Sequence, residues 1–488
     1  MVSKNDEVTL DPENWEEIRI LGHRMLDDTL DYLKTIREQP YVAIPEEARN
    51  AILTQLPSKG DGEAEVYNIF KKYIIPYSVK WTKPDFWGFV IGTGSPYGML
   101  TDMVISGTNA SAGAGPMVFI NNLTIDWVKE LLEYPKEAGG AFVSGGSEAN
   151  FTGLAVARNA KAEVDVKIDG VQGAPRKMTL YCSEEAHHCL ERSVELLGLG
   201  NDALRWIKTD DDCRIVVDSL RESIREDREH GRHPFCVIGN AGTVNSGAFD
   251  DLNGLADLCM EENLWFHVDG AFGAWVKLSD KYKYLADGLE RADSLAVDFH
   301  KWMNMPFTLA CTLVRDCEAH FRTFVYGHTA EYARGVLELS DDMLRNPHHL
   351  SLALSKPVPW LKAYMLLRTY GRDKYSKLVE QNIDQIHYLA ELIQKEPNME
   401  ISVPVASNIV CFRYICGGLD ESEVEKLNRR ILGELWKINL WMISDTTIKG
   451  KYMLRACNVN HRTRYTDFDE LVELINSIGK TLVKEHTT

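Results

Sequence analysis

Three side chains at the ends of apolar runs carry the chemistry legible in this sequence. Lys301 follows the apolar stretch of DSLAVDFHKWMN. Desolvation at such a place lowers an ammonium pKa and frees a nucleophilic amine for Schiff-base formation. The bland alternative is a surface lysine at a strand end, and the His-Lys-Trp context weighs against it. Asp269 closes the run in LWFHVDGAFG. A carboxylate there needs a cationic partner or hydrogen-bond donors. A protonated ring nitrogen would serve, as would a helix N-cap role or a metal. His187, in SEEAHHCLERS, can stack on a flat ring. Zinc would need further ligands at suitable spacing, and none follows. SGGSEAN at 144–150 is a Gly/Ser loop between a strand and a helix. Such a loop either binds phosphate on backbone N–H groups, aided by a serine hydroxyl, or is a tight turn with a serine cap.

These residues need a scaffold that brings them together. Short apolar runs (AFVSGG, KMTLYCS, FCVIGNAGT, LWFHVDGA, DSLAVDFHKW, LACTLVRD) alternate with helical stretches from about residue 96. That alternation predicts a mostly parallel α/β sheet. Ligands gather at the carboxyl ends of such strands. Ser144–Ser147, His187–His188, Gly242–Asn245, Asp269–Ala271 and His300–Lys301 are therefore expected to converge on one crevice. Helices are expected at 12–36 and 63–75 with a linker at 44–60, a long helix at 366–400, and helices at 420–438 and 466–484. ISVPVASNIVCFRYI, INLWMIS and KYMLRACNV supply strands to a terminal α+β part. The expected division is a helical segment 1–95, a large α/β domain 96–365 and a small domain 366–488. GTGSPYG at 92–98 loosely matches a dinucleotide loop, but no second strand with an acidic end follows at the required distance.

Composition bounds the function. The 488 residues include 54 Lys plus Arg and 72 Asp plus Glu, a formal net charge of −18. Such acidity argues against nonspecific nucleic-acid or anionic-membrane binding. The ten cysteines form no CxxC pair and read as scattered reduced thiols. No apolar leader and no membrane-length run is visible. A reducing cytosol is the expected compartment, which makes the sequons at Asn122 and Asn150 chance matches.

Taken together, AHHC, HVDGAFG and DFHKW, in this order and spacing, resemble the group II pyridoxal 5'-phosphate (PLP)-dependent amino-acid decarboxylases. The likeness runs from about residue 10 to 480 and is greatest for aromatic amino-acid and tryptophan decarboxylases. It implies an α/β fold of the PLP-dependent transferase type (fold type I, aspartate aminotransferase-like), with a small α+β C-terminal domain. It also implies a homodimer whose N-terminal helices wrap around the partner, with no nucleic-acid or membrane partner. By resemblance, Lys301 forms the Schiff base, Asp269 pairs the pyridine nitrogen, and Ala271 and His187 flank the ring. Gly146, Ser147 and His300 match phosphate contacts, and Thr243 lies beside the ring. Tyr332 matches a loop tyrosine that assists protonation of the substrate carbon. The implied reaction is decarboxylation of an aromatic L-amino acid to an amine and CO₂.

Phe86, Trp87, Phe89 and Val90 in KPDFWGFVIG are expected to form an apolar substrate wall. Ser355 matches a position that separates phenolic from indolic substrates in some plant members. Residues 106–116 are about three residues shorter than in animal relatives, Asp298-Phe299 precedes the His-Lys pair, and Pro359 interrupts a helix start. A non-aromatic substrate, aldehyde synthesis, or PLP binding without turnover are the competing readings.

Overall fold

The computed structural model describes residues 10–110, 112, 116–325, 343–438 and 441–487. The chain forms two compact units divided after Lys83.

The first unit carries helices Trp15–Lys34, Glu46–Ile52 and Glu63–Ile69. Asn14 caps the first by accepting the Glu16 N–H, and Glu16, Glu17 and Lys34 complement its dipole. No residue of that helix is buried. Asp28 joins it to the third helix region, accepting from Tyr67 at 2.9 Å and Lys71 at 2.6 Å. The stretch expected as a linker contains a helix, because Glu46 and Glu47 follow Pro45 at its N-cap and favour a helix start. The unit ends at 83 rather than 95. Beyond it, the Trp87 N–H donates to the Met442 carbonyl at 2.7 Å, which ties this segment to the C-terminal part.

The second unit is built on a seven-stranded sheet: β1 (Gly139–Val143), β2 (Met178–Ser183), β3 (Leu204–Ile207), β4 (His233–Asn240), β5 (Trp265–Asp269), β6 (Ser294–Asp298) and β7 (Ala310–Val314). The order is β1-β7-β6-β5-β4-β2-β3. The pairs from β3 to β6 are parallel, and β7 runs antiparallel to both β1 and β6. Each of the six apolar runs is a strand. Central strands such as β5 and β6 are buried at every position, as a sheet covered on both faces requires. The edge strand β3 buries only Leu204 and Ile207, so its sequence carries no continuous apolar signal.

A second, antiparallel sheet has the order β10-β11-β9-β8, from β8 (Met399–Ile401), β9 (Ile409–Tyr414), β10 (Ser444–Ile448) and β11 (Lys451–Cys457). Strand pairing in this sheet therefore starts only at Ser444, the last residue of INLWMIS. Helices Glu421–Ile438 and Tyr465–Thr487 pack on this sheet around Phe412, Ile431 and Phe468. Helix Pro359–Lys395 crosses the expected boundary at 365/366. Pro359 opens it, since a first-turn residue needs no backbone donor, and Gly371, at φ 72°, breaks its course. Among the described residues no helix is long and apolar enough to cross a membrane.

Candidate active site

β4, β5 and β6 end in Asn240, Asp269 and Asp298. Parallel register sets Asn240 against Asp269 and Asp269 against Ala296. A cleft of about 750 Å³ opens at these ends. On one side helix Gly146–Lys161 begins at the Gly/Ser loop, with Gly145 as N-cap. Ser144 donates its backbone N–H and its hydroxyl to the Glu148 carboxylate, at 2.8 and 2.6 Å, closing the loop. Ser147 is left exposed in the cleft. A Cβ on Gly146 would meet Asp298 Oδ2 at 2.7 Å and Ala271 Cβ at 3.3 Å. Glycine thus lets the helix start approach the strand ends, and its first-turn N–H groups form an anion cradle.

Asp269 is buried and held at both oxygens. Oδ2 accepts from Asn150 Nδ2 at 2.9 Å, and Oδ1 accepts the Ala271 N–H at 3.1 Å. Lys301 Nζ lies 2.8 Å from Asp298 Oδ2. This corrects the expectation of a lysine with a depressed pKa. Burial does pull the ammonium down, but the adjacent Asp298 carboxylate outweighs it and the net direction is up. His187 accepts the Cys189 N–H on Nδ1 at 3.0 Å. Burial, with Asp269 nearby, pushes the Cys189 thiol up to about 12, so it stays protonated at neutral pH. Gly92 donates its N–H to the His300 carbonyl at 2.9 Å and lies flat against the His300–Lys301 backbone. The dinucleotide-like glycines thus serve close chain approach.

The cleft is lined by Gly146, Ser147, His187, Asp269, Ala271, His300 and Lys301, together with Phe89 and Val90. Four expected residues lie elsewhere. Trp87 is core: its ring stacks on Phe468 at 4.4 Å and its Nε1–H donates to Thr463. Phe86 is buried beside it, bridging Met442. Residues 83–88 of KPDFWGFV are buried, and only at its end do Phe89 and Val90 turn their side chains to the cleft. Thr243 spends its hydroxyl inside its own loop, on Ser246 and the Ala248 N–H, while Gly242, Val244 and Asn245 face the cleft. Ser355 is exposed and not part of the cleft wall. Tyr332 lies outside the described residues. Asn150 is buried.

Residue-by-residue reading missed Asn150, Asp298 and Arg455, all in the cleft. Asn150 stands four residues after Gly146, and Asp298 three before Lys301, spacings that were available. For Arg455 the signal in the sequence is a charged residue inside the apolar run KYMLRAC. It donates to the carbonyls of Asn245, Gly88 and Val244 and to Ser444 Oγ, at 2.7–3.1 Å, and all four partners are uncharged.

A family model for the pyridoxal-dependent decarboxylase conserved domain matches residues 45–415. The chain belongs to the pyridoxal-dependent decarboxylase family. It is a PLP-dependent carboxy-lyase of fold type I. It is 32% identical to an aromatic-L-amino-acid decarboxylase of Bacillus atrophaeus, over 95% of this chain and 96% of that protein. It is 26% identical to a phenylacetaldehyde synthase of Arabidopsis thaliana, over 92% of each. Oryza sativa TDC, solved with PLP and tryptamine, shares the fold at a TM-score of 0.88 and 23% identity, over 97% of this chain and 100% of that one. The residues present fit PLP: an anion cradle at Gly146–Glu148, a carboxylate at Asp269, and an amine at Lys301 whose bond among the described residues is to Asp298 all face one cleft.

Proposed function

We propose that this decarboxylase acts on an aromatic L-amino acid, releasing the amine and CO₂, as a homodimer in the cytosol. The observation that carries the substrate class is the cleft wall, where Phe89, Val90, Ile91 and Phe307 face the Asp269–Lys301 floor. A flat apolar side chain suits such a wall, and a carboxylate side chain does not. The name of the Bacillus atrophaeus relative points the same way. Dimerisation is supported by helix Trp15–Lys34, which buries none of its residues and exposes Trp15, Ile20 and Met25. The cytosol is supported by ten cysteines that form no disulfide among the described residues.

The roles follow from position. Gly146, Ser147 and Glu148 offer N–H groups, with the Ser147 hydroxyl, to the cofactor's phosphate. Lys301 would hold the cofactor through its amine, Asp269 would face the ring nitrogen, and Ala271 and His187 would bound the ring. When bound, PLP supplies an electron sink for the carbon that loses CO₂. Arg455, a cation whose partners are all neutral, orients the substrate carboxylate within the cleft. The apolar wall excludes water, which favours loss of charge from that carboxylate. Tyr332 is assigned proton delivery to the substrate carbon by resemblance alone. The likeness to a phenylacetaldehyde synthase favours aldehyde formation as the second reading.

The test is incubation of the holoenzyme with a panel of L-amino acids and mass detection of products. Amine from tryptophan, tyrosine, phenylalanine or DOPA supports the proposal. Amine only from non-aromatic substrates overturns the substrate class, and aldehyde with hydrogen peroxide in place of amine establishes the second reading.

A further inference from the structure

Behind Asp269 runs a row of buried polar groups that the reaction as described does not use. Trp265, His267 and Asp269 alternate along β5 and so share one face. Trp265 Nε1 lies 2.8 Å from Ser294 Oγ on β6. Ser294 Oγ lies 2.7 Å from His267 Nδ1, and His267 Nε2 lies 2.8 Å from Asn150 Oδ1. Asn150 Nδ2 then reaches Asp269 Oδ2 at 2.9 Å.

Every donor in this row is determined. The Asp269 carboxylate accepts, so Asn150 turns its NH₂ to Asp269 and its carbonyl to His267 Nε2. The neutral imidazole then carries its hydrogen on Nε2 and donates to Asn150. That leaves Nδ1 to accept the Ser294 hydroxyl hydrogen, while Ser294 accepts from the Trp265 indole N–H. The row therefore points one way and ends on the carboxylate. Burial holds the His267 pKa down to about 4, so the ring stays neutral and keeps one tautomer at working pH. Its place is reserved by Gly153, where a Cβ would meet His267 Cε1 at 2.7 Å and Nδ1 at 2.9 Å.

We propose that Trp265, Ser294, His267 and Asn150 are positioning residues that act through Asp269, biasing the proton shared with the cofactor's ring nitrogen toward that nitrogen. The proposal rests on the reading that Asp269 faces the ring nitrogen. Hydrogen bonds to a carboxylate favour its charged form, and aligned bonds in a buried site reinforce one another. A proton on the ring nitrogen strengthens the electron sink. Ser294 matters although it is three hydrogen bonds from Asp269. Without its hydroxyl His267 can take the other tautomer, and Asn150 can then flip and turn its carbonyl toward Asp269.

The test uses full-length holoenzyme reconstituted with PLP labelled with nitrogen-15 at the ring nitrogen. Ser294→Ala and His267→Phe are compared with wild type, and Asp269→Asn reports on the underlying reading. Ser294→Ala, which removes one oxygen, keeps the experiment informative if His267→Phe does not fold. The expected result is a ring-nitrogen resonance in the pyridinium range for wild type. In Ser294→Ala it moves toward neutral pyridine, with kcat down about three- to tenfold and KM unchanged. If Asp269→Asn moves the resonance while Ser294→Ala and His267→Phe leave it at the wild-type position, the row is structural and the proposal falls. If Asp269→Asn leaves it in the pyridinium range, the placement of Asp269 falls, and the proposal with it.

Discussion

Lys301 Nζ and Asp298 Oδ2 stand 2.8 Å apart just beyond the end of β6, a buried carboxylate beside the amine proposed to hold the cofactor. The carboxylate raises the ammonium pKa, so less free amine is present at neutral pH. Asp298→Asn is expected to lower that pKa and speed PLP capture by the apo protein about tenfold at neutral pH. The gain should shrink as pH approaches the wild-type lysine pKa. Stopped-flow absorbance across pH measures it, with Lys301→Ala as the variant that shows no covalent capture and no turnover. An Asp298→Asn rate equal to wild type at every pH would remove Asp298 from control of the lysine.

Arg455 is expected to bind substrate rather than cofactor. Arg455→Lys keeps the charge but loses the planar fork that reaches four oxygens. KM for the best amino acid should rise at least about tenfold, roughly 1.4 kcal/mol, with the cofactor absorbance retained. Steady-state kinetics with a PLP titration separates the two. Lost cofactor at unchanged KM contradicts the assignment.

Gly92 sets the position of Lys301. A Cβ there would meet the Lys301 carbonyl at 2.2 Å and the His300 carbonyl at 2.6 Å. Neither backbone atom can swing away as a side chain could. Gly92→Ala should cost about 1–3 kcal/mol and lower PLP occupancy, while Gly107→Ala, where nothing lies within 4 Å, should do neither. Thermal melts and the cofactor absorbance of the purified proteins decide it, and an unperturbed Gly92→Ala would refute the contact.

By resemblance, Tyr332 is proposed to separate the two product classes. Tyr332→Phe is expected to divert product from amine toward aldehyde, detected by mass and by coupled peroxide. An unchanged amine yield takes the proton-delivery role away from it.

Two fully buried imidazoles make the fold acid-sensitive. Burial holds His267 and His320 at about 4, against 6.5 for a free histidine. Between those values the unfolded chain binds protons that the folded chain does not, so stability rises with pH there. Their contribution is intact above pH 6.5 and is lost as pH falls toward 4, at up to about 1.4 kcal/mol per pH unit for each ring. Denaturant titrations at about pH 7 and about pH 5 should show this loss, and His320→Gln should reduce it by one ring's share. Equal losses in the two proteins would contradict the assignment.

The sequence by itself determined the sheet and the family. Continuous apolar runs of strand length can be satisfied only by a sheet covered on both faces. The HVDGAFG and DFHKW motifs place Asp269 at one strand end and Lys301 just beyond another. Their place at the carboxyl ends of apolar runs also gave the expectation that they converge with the Gly146–Ser147 loop. What sequence could not decide was which side chain of an apolar segment faces inward. In KPDFWGFV, Trp87 and Phe89 are equally apolar, and only packing against Phe468 and Met442 sends the first to the core and leaves the second in the cleft. Nor could it find the partners. Asp298 and Lys301 are close in the chain, and the sign of the lysine shift depends on a 2.8 Å contact that backbone geometry sets. Arg455 lies more than 150 residues from Lys301 and reaches the cleft only because β11 pairs beside the Gly88 segment. Distances of this kind are made by tertiary structure, since short-range periodicity carries no information about which distant strand ends will meet.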